Sequence, residues 1–134
     1  MTLQTACEAI AAVCRGVSGV RFAPNYAPES ADIFPFVVTF PASGSWVASA
    51  GFATALHDIS VQVHVARKDL PNDLLMVLPY ADLIPAALLA DTTLRGAVQT
   101  FSELRYEFKP MSWNGIDTLG FEFTLVGVKL QPTL

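Results

Sequence analysis

The residues with the clearest chemical potential lie together on one stretch, where His57, Asp58, Ser60 and His64 follow closely on one another. Histidine, aspartate and serine are the side chains of a hydrolytic triad. Successive side chains of an extended strand point to opposite faces, so His57 points away from the other three. A triad also needs groups that converge from separate elements. We therefore interpret the cluster as the polar side of a strand and not as a nucleophilic centre.

The sequence also gives little support for a metal or cofactor site. His64 and Asp58 could ligate a metal, but no third ligand follows at a typical spacing. Cys7 and Cys14 fall on one helix face about 10 Å apart, too far for a disulfide, and are interpreted as core residues of a protein folded in a reduced, cytosolic compartment. Glycine-rich phosphate-binding motifs and paired carboxylates are missing from the sequence. The sequence predicts no catalytic residue, no metal and no cofactor.

The strand that carries these polar residues is predicted at 56–67 by strict alternation. Its apolar side faces the core and consists of Ile59, Val61, Val63 and Val65. Its other side is expected to be solvated and consists of Asp58, Ser60, Gln62 and His64. A second buried strand is predicted at 34–40, because Pro35 and Pro41 lie near its ends, where strands tolerate proline.

A closing β-hairpin is predicted at 104–130, because Asn114-Gly115 is the strongest short signal for a two-residue type I′ turn. That turn fixes the register of the flanking strands. One side of the ribbon is then apolar in every row, pairing Leu104 with Leu125, Tyr106 with Phe123, Phe108 with Phe121, and Pro110 with Leu119. The other side sets Arg105, Glu107 and Lys109 against Thr124, Glu122 and Gly120. The Glu107–Glu122 pair costs stability unless the two neighbouring cations offset it.

Two helical regions are predicted. The first, at 2–15, is amphipathic and ends before Gly16. The second begins near Asp69, a plausible N-cap, with Pro71 in the first turn. Pro79 and Pro85 must kink or split it, which predicts two short helices or one bent helix.

The second helical region is apolar on most of its circumference, which is typical of a helix buried on more than one side. Its predicted core stripe consists of Leu74, Val77, Leu78, Ala81, Ile84 and Leu88. Large side chains outside the stripe are Leu75, Met76, Tyr80, Leu83 and Leu89. From this second set we take Leu75, Tyr80 and Leu83 as candidate interface residues.

Residues 42–55 are mainly small, with Trp46, Val47 and Phe52 as the large side chains. The segment is longer than most connections in compact domains. One interpretation is a flexible loop. The other is a protruding hairpin arm whose aromatic side chains dock outside the domain, since exposed Trp and Phe are otherwise a liability. Trp46 and Phe52 are thus candidate interface residues.

The composition predicts one domain, residues 1–134, that associates with itself. Hydrophobic residues make up 52% of the chain and charged residues 15%, a low charged share for the surface of a small monomer. The net charge of −4 and the scattered basic residues give no nucleic-acid footprint. We expect a soluble chain with no signal peptide and no membrane span. The predicted fold class is α+β: a single, mainly antiparallel β-sheet with both helical regions packed on one face.

Taken together, these features resemble the tail terminator, or tail completion, proteins of long-tailed bacteriophages. The resemblance covers nearly the full chain and rests on pattern. It comprises the N-terminal helix, the FPFVVTFP strand, the long loop, and a strand that runs into ARKDLP. It continues with the proline-interrupted LLMVLPYADLIPAALLAD and the closing LRYEFKPMSWNGIDTLGFEFTLVGVKL.

The resemblance implies a structural, non-enzymatic virion subunit, assembled in the host cytoplasm into a hexameric ring. Such a ring caps the tail tube, stops its polymerisation and presents a surface to the head connector or stopper protein. DNA passes through the ring without specific binding. Alternatives are another neck or head–tail connector subunit, or a minor tail protein. Two further alternatives belong to other functional classes. One is a small-ligand binding domain that uses His64 and the polar sheet face, and the other is a small hydrolase built on His57 or His64.

Overall fold

The computed structural model describes residues 2–49 and 52–131, and for Ser49, Phe52 and Ala53 it describes the backbone alone. The fold is α+β, as predicted, and is built on one curled antiparallel sheet. The five strands are β1 (Phe36–Ser49), β2 (Phe52–Ala66), β3 (Val98–Thr100), β4 (Glu103–Trp113) and β5 (Ile116–Leu130). β5 pairs with β2 on one side and with β4 and β3 on the other. β1 and β4 are therefore opposite edges of the sheet.

Three helices accompany the sheet: α1 (Leu3–Arg15), α2 (Asn72–Val77) and α3 (Tyr80–Ala90). α1 begins where it was predicted, because the Thr2 hydroxyl accepts a hydrogen bond from the Thr5 backbone N–H at 3.1 Å. Pro79 separates α2 from α3, which confirms the prediction of two short helices. Pro85 lies inside α3.

Taken as one helix, the stretch Asn72–Ala90 has the length and mean hydropathy, 1.6, of a membrane span. Length and composition alone produce this match, and the core helices of soluble proteins satisfy the same criterion. Here the break at Pro79 interrupts the stretch. Four of its side chains are buried among the core side chains of the same domain: Val77, Tyr80, Ile84 and Leu88.

The structure confirms every predicted row of the β4–β5 hairpin, from Leu104 opposite Leu125 to Pro110 opposite Leu119. The turn residues Asn114 and Gly115 have φ values of 51° and 77°, the two positive values that a type I′ turn requires. A two-residue turn thus determines which side chains of β5 face the core. The like-charge pair Glu107–Glu122 is present as predicted.

The main core lies between the helices and one face of the sheet. It includes the predicted apolar side of β2 and, from β5, Leu119, Phe121, Phe123 and Leu125. α1 packs against β1, and α2 packs against β2 and β5. Tyr106 and Phe108 lie on the same side, yet they remain 66% and 42% exposed. The apolar side of the hairpin is therefore buried along β5 but largely uncovered along β4.

A second, smaller core covers one end of the opposite sheet face, which the alternation pattern predicted to be solvated. Ala31, Phe36 and Val38 are buried there, and four more aromatic side chains pack on them: Phe22, Phe34, Phe40 and Trp113. Ser60 and His64 are consequently buried, and the prediction of a fully solvated polar face was wrong at these positions. Alternation identified the two faces of β2, but it could not show that a distant loop covers the second.

The predicted helical stripe needs two corrections. Leu78, assigned to the core, is exposed, while Tyr80, assigned to the outside, is only 5% exposed. The break at Pro79 is the reason, because α3 begins a new axis and the α2 periodicity does not continue across it. The predicted N-cap is also wrong: α2 starts at Asn72. The buried Asp73 carboxylate instead accepts the backbone N–H groups of Lys68 and Asp69 at 2.6 and 2.5 Å.

We predict that Gly120→Ala strongly destabilises the fold. A Cβ atom at Gly120 would lie 1.7 Å from the Val63 carbonyl oxygen, so β2 and β5 would have to separate. We expect a loss of about 3 kcal/mol or more in the free energy of unfolding, measured by urea denaturation. The control is Gly16→Ala, where the nearest atom, the Val13 carbonyl oxygen, lies at an ordinary 3.4 Å. Equal midpoints for the two variants would contradict the close approach of β2 and β5.

Candidate functional site: the exposed apolar surfaces

Asp58 connects neighbouring strands where the register of the sheet shifts. Its two carboxylate oxygens accept hydrogen bonds from the Ser43 hydroxyl at 3.1 Å and from the Gly127 backbone N–H at 3.0 Å. At this level β2 shifts register against β1 between Pro41 and Ser43, and against β5 between His57 and Ile59. Asp58 thus joins the three strands where both pairings are interrupted. It is not oriented by, or paired with, a histidine.

Ser60 and Glu122 form the centre of a polar network on the outer sheet face. The Ser60 hydroxyl donates to Glu122 Oε2 at 2.9 Å, and the Gln62 amide donates to the same oxygen at 2.7 Å. The Lys109 ammonium lies 3.0 Å from Glu122 Oε1. Burial raises the Glu122 pKa, but the hydrogen bonds from Gln62, Lys109 and Ser60 outweigh it and keep the pKa below its usual value.

The same contacts explain how the repulsion between Glu107 and Glu122, which face each other in the hairpin, is offset. Lys109 lies between the two carboxylates, at 3.8 Å from Glu107 and 3.0 Å from Glu122. Arg105, which was expected to help, pairs with Glu103 instead. Lys109 alone of the two predicted cations therefore offsets the Glu107–Glu122 repulsion.

His64 is enclosed by aromatic rings and held in one tautomer. Its ring stacks on Phe36 with centroids 4.6 Å apart and meets the edge of Trp113 at 5.7 Å. Since the Gln62 amide donates to Glu122, its carbonyl oxygen accepts from His64 Nε2 at 2.9 Å. His64 Nδ1 then accepts from the Thr118 hydroxyl at 2.6 Å. Both ring nitrogens are thus satisfied inside the protein.

Burial lowers the pKa of His64 to about 4, and the Glu122 carboxylate only partly opposes this shift. The ring is therefore neutral at physiological pH. A ligand could reach it only by displacing Phe36 or Trp113, which leaves the binding-domain interpretation based on His64 without an accessible group.

The two cysteines, like His64, are buried inside the protein. Cys7 and Cys14 are buried free thiols, and burial raises the pKa of Cys14 to about 12. Both therefore act as core side chains, as predicted. Among residues 2–49 and 52–131, no three His, Cys, Asp or Glu side chains are arranged to hold a metal ion.

Residues 42–49 and 52–55 lie on paired strands, so the described part of the segment is an ordered arm and the flexible-loop interpretation was wrong there. β1 and β2 remain paired from the sheet out to the pair Ser49–Phe52. Trp46 lies opposite Ala55 and is 75% exposed, and Val47 beside it is also exposed. The Phe52 side chain lies outside the described part of the structure. The arm contains no charged residue, so water-exposed Trp46 is its dominant feature.

The face of α2 and α3 that points away from the core is strongly apolar. Leu75, a candidate interface residue, is 65% exposed, and Leu83, another, is 38% exposed. Tyr80 is buried in the core and is withdrawn as an interface candidate. Further exposed apolar side chains of these two helices and their junction are Met76, Leu78 and Leu89.

Two features escaped the sequence analysis. Tyr106 and Phe108 were assigned to the core, yet they form an exposed aromatic pair on the edge strand β4. Trp113 was given no role, yet its indole N–H donates to the Pro28 carbonyl at 3.0 Å and holds the 23–35 loop over the outer sheet face. The aromatic side chains at alternate positions of β4 were the available signal. What they contact depends on elements distant in the sequence.

No protein-family model matches the chain, and no curated protein is detectably similar to it in sequence.

We predict that lowering the pH from about 6.5 to 4 destabilises the protein through His64. In this range the unfolded histidine takes up a proton and the folded one does not, because its folded pKa is depressed to about 4. The stabilisation is complete above pH 6.5 and is lost as the pH falls, by up to about 3 kcal/mol.

The measurement is urea denaturation at a series of pH values for the wild type and His64→Gln. The variant has no titrating ring, so its free energy of unfolding should change much less across this range. Glu122, whose pKa lies below its usual value, titrates in both proteins. Its contribution to the pH dependence is therefore common to the two curves and serves as the internal control. An unchanged slope in His64→Gln would refute a neutral buried histidine.

Proposed function

We propose that this chain is the subunit of a tail terminator ring that caps the tail tube of a long-tailed bacteriophage. The observation that carries the proposal is the amount of rigid apolar surface left uncovered in a small domain. It occurs in three places: the arm with Trp46, the outer face of α2 and α3, and the Tyr106–Phe108 pair on β4. Surfaces of this kind mark sites of protein–protein contact.

A closed ring explains why these surfaces lie on different parts of the subunit. Head-to-tail contacts in a ring use two different patches of each copy. The arm extends from the β1 edge, while Tyr106 and Phe108 lie on the opposite edge, β4. The outer face of α2 and α3, with Leu75 and Leu83, is available to a second layer, such as the tail tube protein or the head connector.

The ring's expected partners follow from the same chemistry. DNA would traverse the central hole without being held, since a subunit with a net charge of −4 offers few phosphate contacts. Asp58, Ser60 and His64, which could have suggested catalysis, are engaged in structural hydrogen bonds, and this supports a structural, non-enzymatic role. The proposed location is the neck of the virion, after assembly in the host cytoplasm. Another neck, connector or minor tail subunit would use the same kinds of surface.

The first test is the solution mass across a concentration series, by light scattering behind a sizing column, with negative-stain images of any large species. We expect a concentration-dependent six-fold assembly with a central hole, either alone or when purified tail tubes are added. A protein that stays monomeric at high concentration and does not bind tube ends would contradict the proposal. A melting shift on addition of a small ligand, with no assembly, would favour a binding domain.

The arm is tested by the double variant Trp46→Ser/Phe52→Ser. Its subunit should remain folded, because Trp46 is exposed and outside the core. We expect ring or tail-tube association to weaken about tenfold or more, as for loss of a central aromatic anchor. Ile33→Ser, at an exposed position away from the arm, is the matched control. If the double variant forms rings and completes tails normally, the arm is not an interface.

A further inference from the structure

An apolar groove of about 320 Å³ lies beside the β1 edge, between the start of α1, the 25–27 loop and β1. None of its lining residues is charged. The lining residues that matter here are Leu3, Cys7, Tyr26, Ala27 and Thr39. A neighbouring shallow groove shares Leu3 with it and continues to Trp46 on the arm.

The Thr39 hydroxyl beside this groove lacks a hydrogen-bond partner among the described residues. Thr39 is only 2% exposed. A buried polar atom left without a partner is costly, so native structures nearly always supply one. Because this oxygen is closed off from solvent, it is not a group that the groove offers to a partner, and what the groove offers is its apolar lining.

Complementary chemistry exists on the other edge of the same sheet. Tyr106 and Phe108 project from β4 and are largely exposed. Their rings pack against Phe121 at 6.0 and 5.3 Å, which holds them in place. The Tyr106 hydroxyl makes no hydrogen bond to a described residue. The pair thus offers apolar area together with one free donor.

The two features cannot meet within one copy. β1 and β4 are separated by β2 and β5, a distance of roughly 14 Å across the sheet. Both features lie on the core side of the sheet, since Thr39 pairs with the inward-facing Val61 and Tyr106 with Phe123. Opposite edges and a common face are the arrangement that lets identical copies join head to tail.

Charge favours a second copy as the occupant of the groove. Two copies with a net charge of −4 each repel one another, so they make contact at least cost where neither surface is charged. The groove lining has no charged residue, and the charged residues of β4, among them Arg105 and Lys109, alternate with the aromatic pair and face the other side. They would stay in water when the aromatic side chains are buried.

We propose that Tyr106 and Phe108 of one copy insert into this groove of the next copy and bury their rings against its apolar lining. This inference rests on the proposed ring and identifies its head-to-tail contact. Two aromatic side chains bury roughly 150–250 Å² each, less than the roughly 800 Å² per partner of a stable interface. The arm, whose Trp46 borders the adjoining groove, supplies further area in the same contact.

The test uses two variants that damage opposite sides of the contact. Tyr106→Ser/Phe108→Ser removes the inserted side chains, and Ala27→Glu places a charge in the groove at an exposed position. Each variant alone should be monomeric under conditions where the wild type forms rings. A 1:1 mixture should form a dimer and nothing larger, because one intact groove then meets one intact aromatic pair. Arg105→Ser, on the other side of β4, is the matched control and should form rings.

The outcomes separate this contact from the proposed function. Rings formed by either damaged variant alone, or a mixture that stays monomeric, would overturn the contact while leaving the terminator role intact. A wild type that assembles neither alone nor on tail tubes would overturn both.

Discussion

The pairing of β5 with β2 and β4 is the constraint on which the rest of the structure depends. On one side the Asn114-Gly115 turn fixes its register with β4, and on the other Gly120 lets the Val63 carbonyl of β2 approach closely. Because side chains alternate along a strand, these two pairings decide at once which residues of three strands face the helices. The main core, the outer polar network and the exposed β4 aromatic pair all follow from that choice.

The helices cover only part of the surface that this sheet makes apolar. α1 and α2 pack on β1, β2 and β5, and β4 carries its aromatic side chains beyond them. α2 and α3 also leave apolar side chains uncovered, because their outer face is as rich in leucine as the inner one. In a chain with only 15% charged residues, such surfaces favour association over solubility as a monomer. The proposed assembly would cover these surfaces.

The polar residues of the chain contribute rigidity where the assembly would need it. Asp58 joins three strands at the base of the arm through Ser43 and Gly127, and so sets the direction in which Trp46 extends. On the outer face, the chain of hydrogen bonds from Thr118 through His64 and Gln62 ends on Glu122. Fully satisfied networks of this kind specify one arrangement of a fold. They also account for residues that resemble a catalytic cluster in the sequence.

The sequence by itself determined the features that depend on local periodicity and turn chemistry. The α1 helix, the apolar side of β2, the split at Pro79 and every row of the β4–β5 hairpin were predictable, because each depends on neighbouring residues. Only the tertiary structure decided what covers each face. His64 is buried because Trp113 and a distant loop close over it, and Tyr80 because α3 starts a new axis. Tyr106 is exposed because the helices pack mainly on β1, β2 and β5. Burial depends on contacts between elements far apart in the chain, which periodicity does not encode.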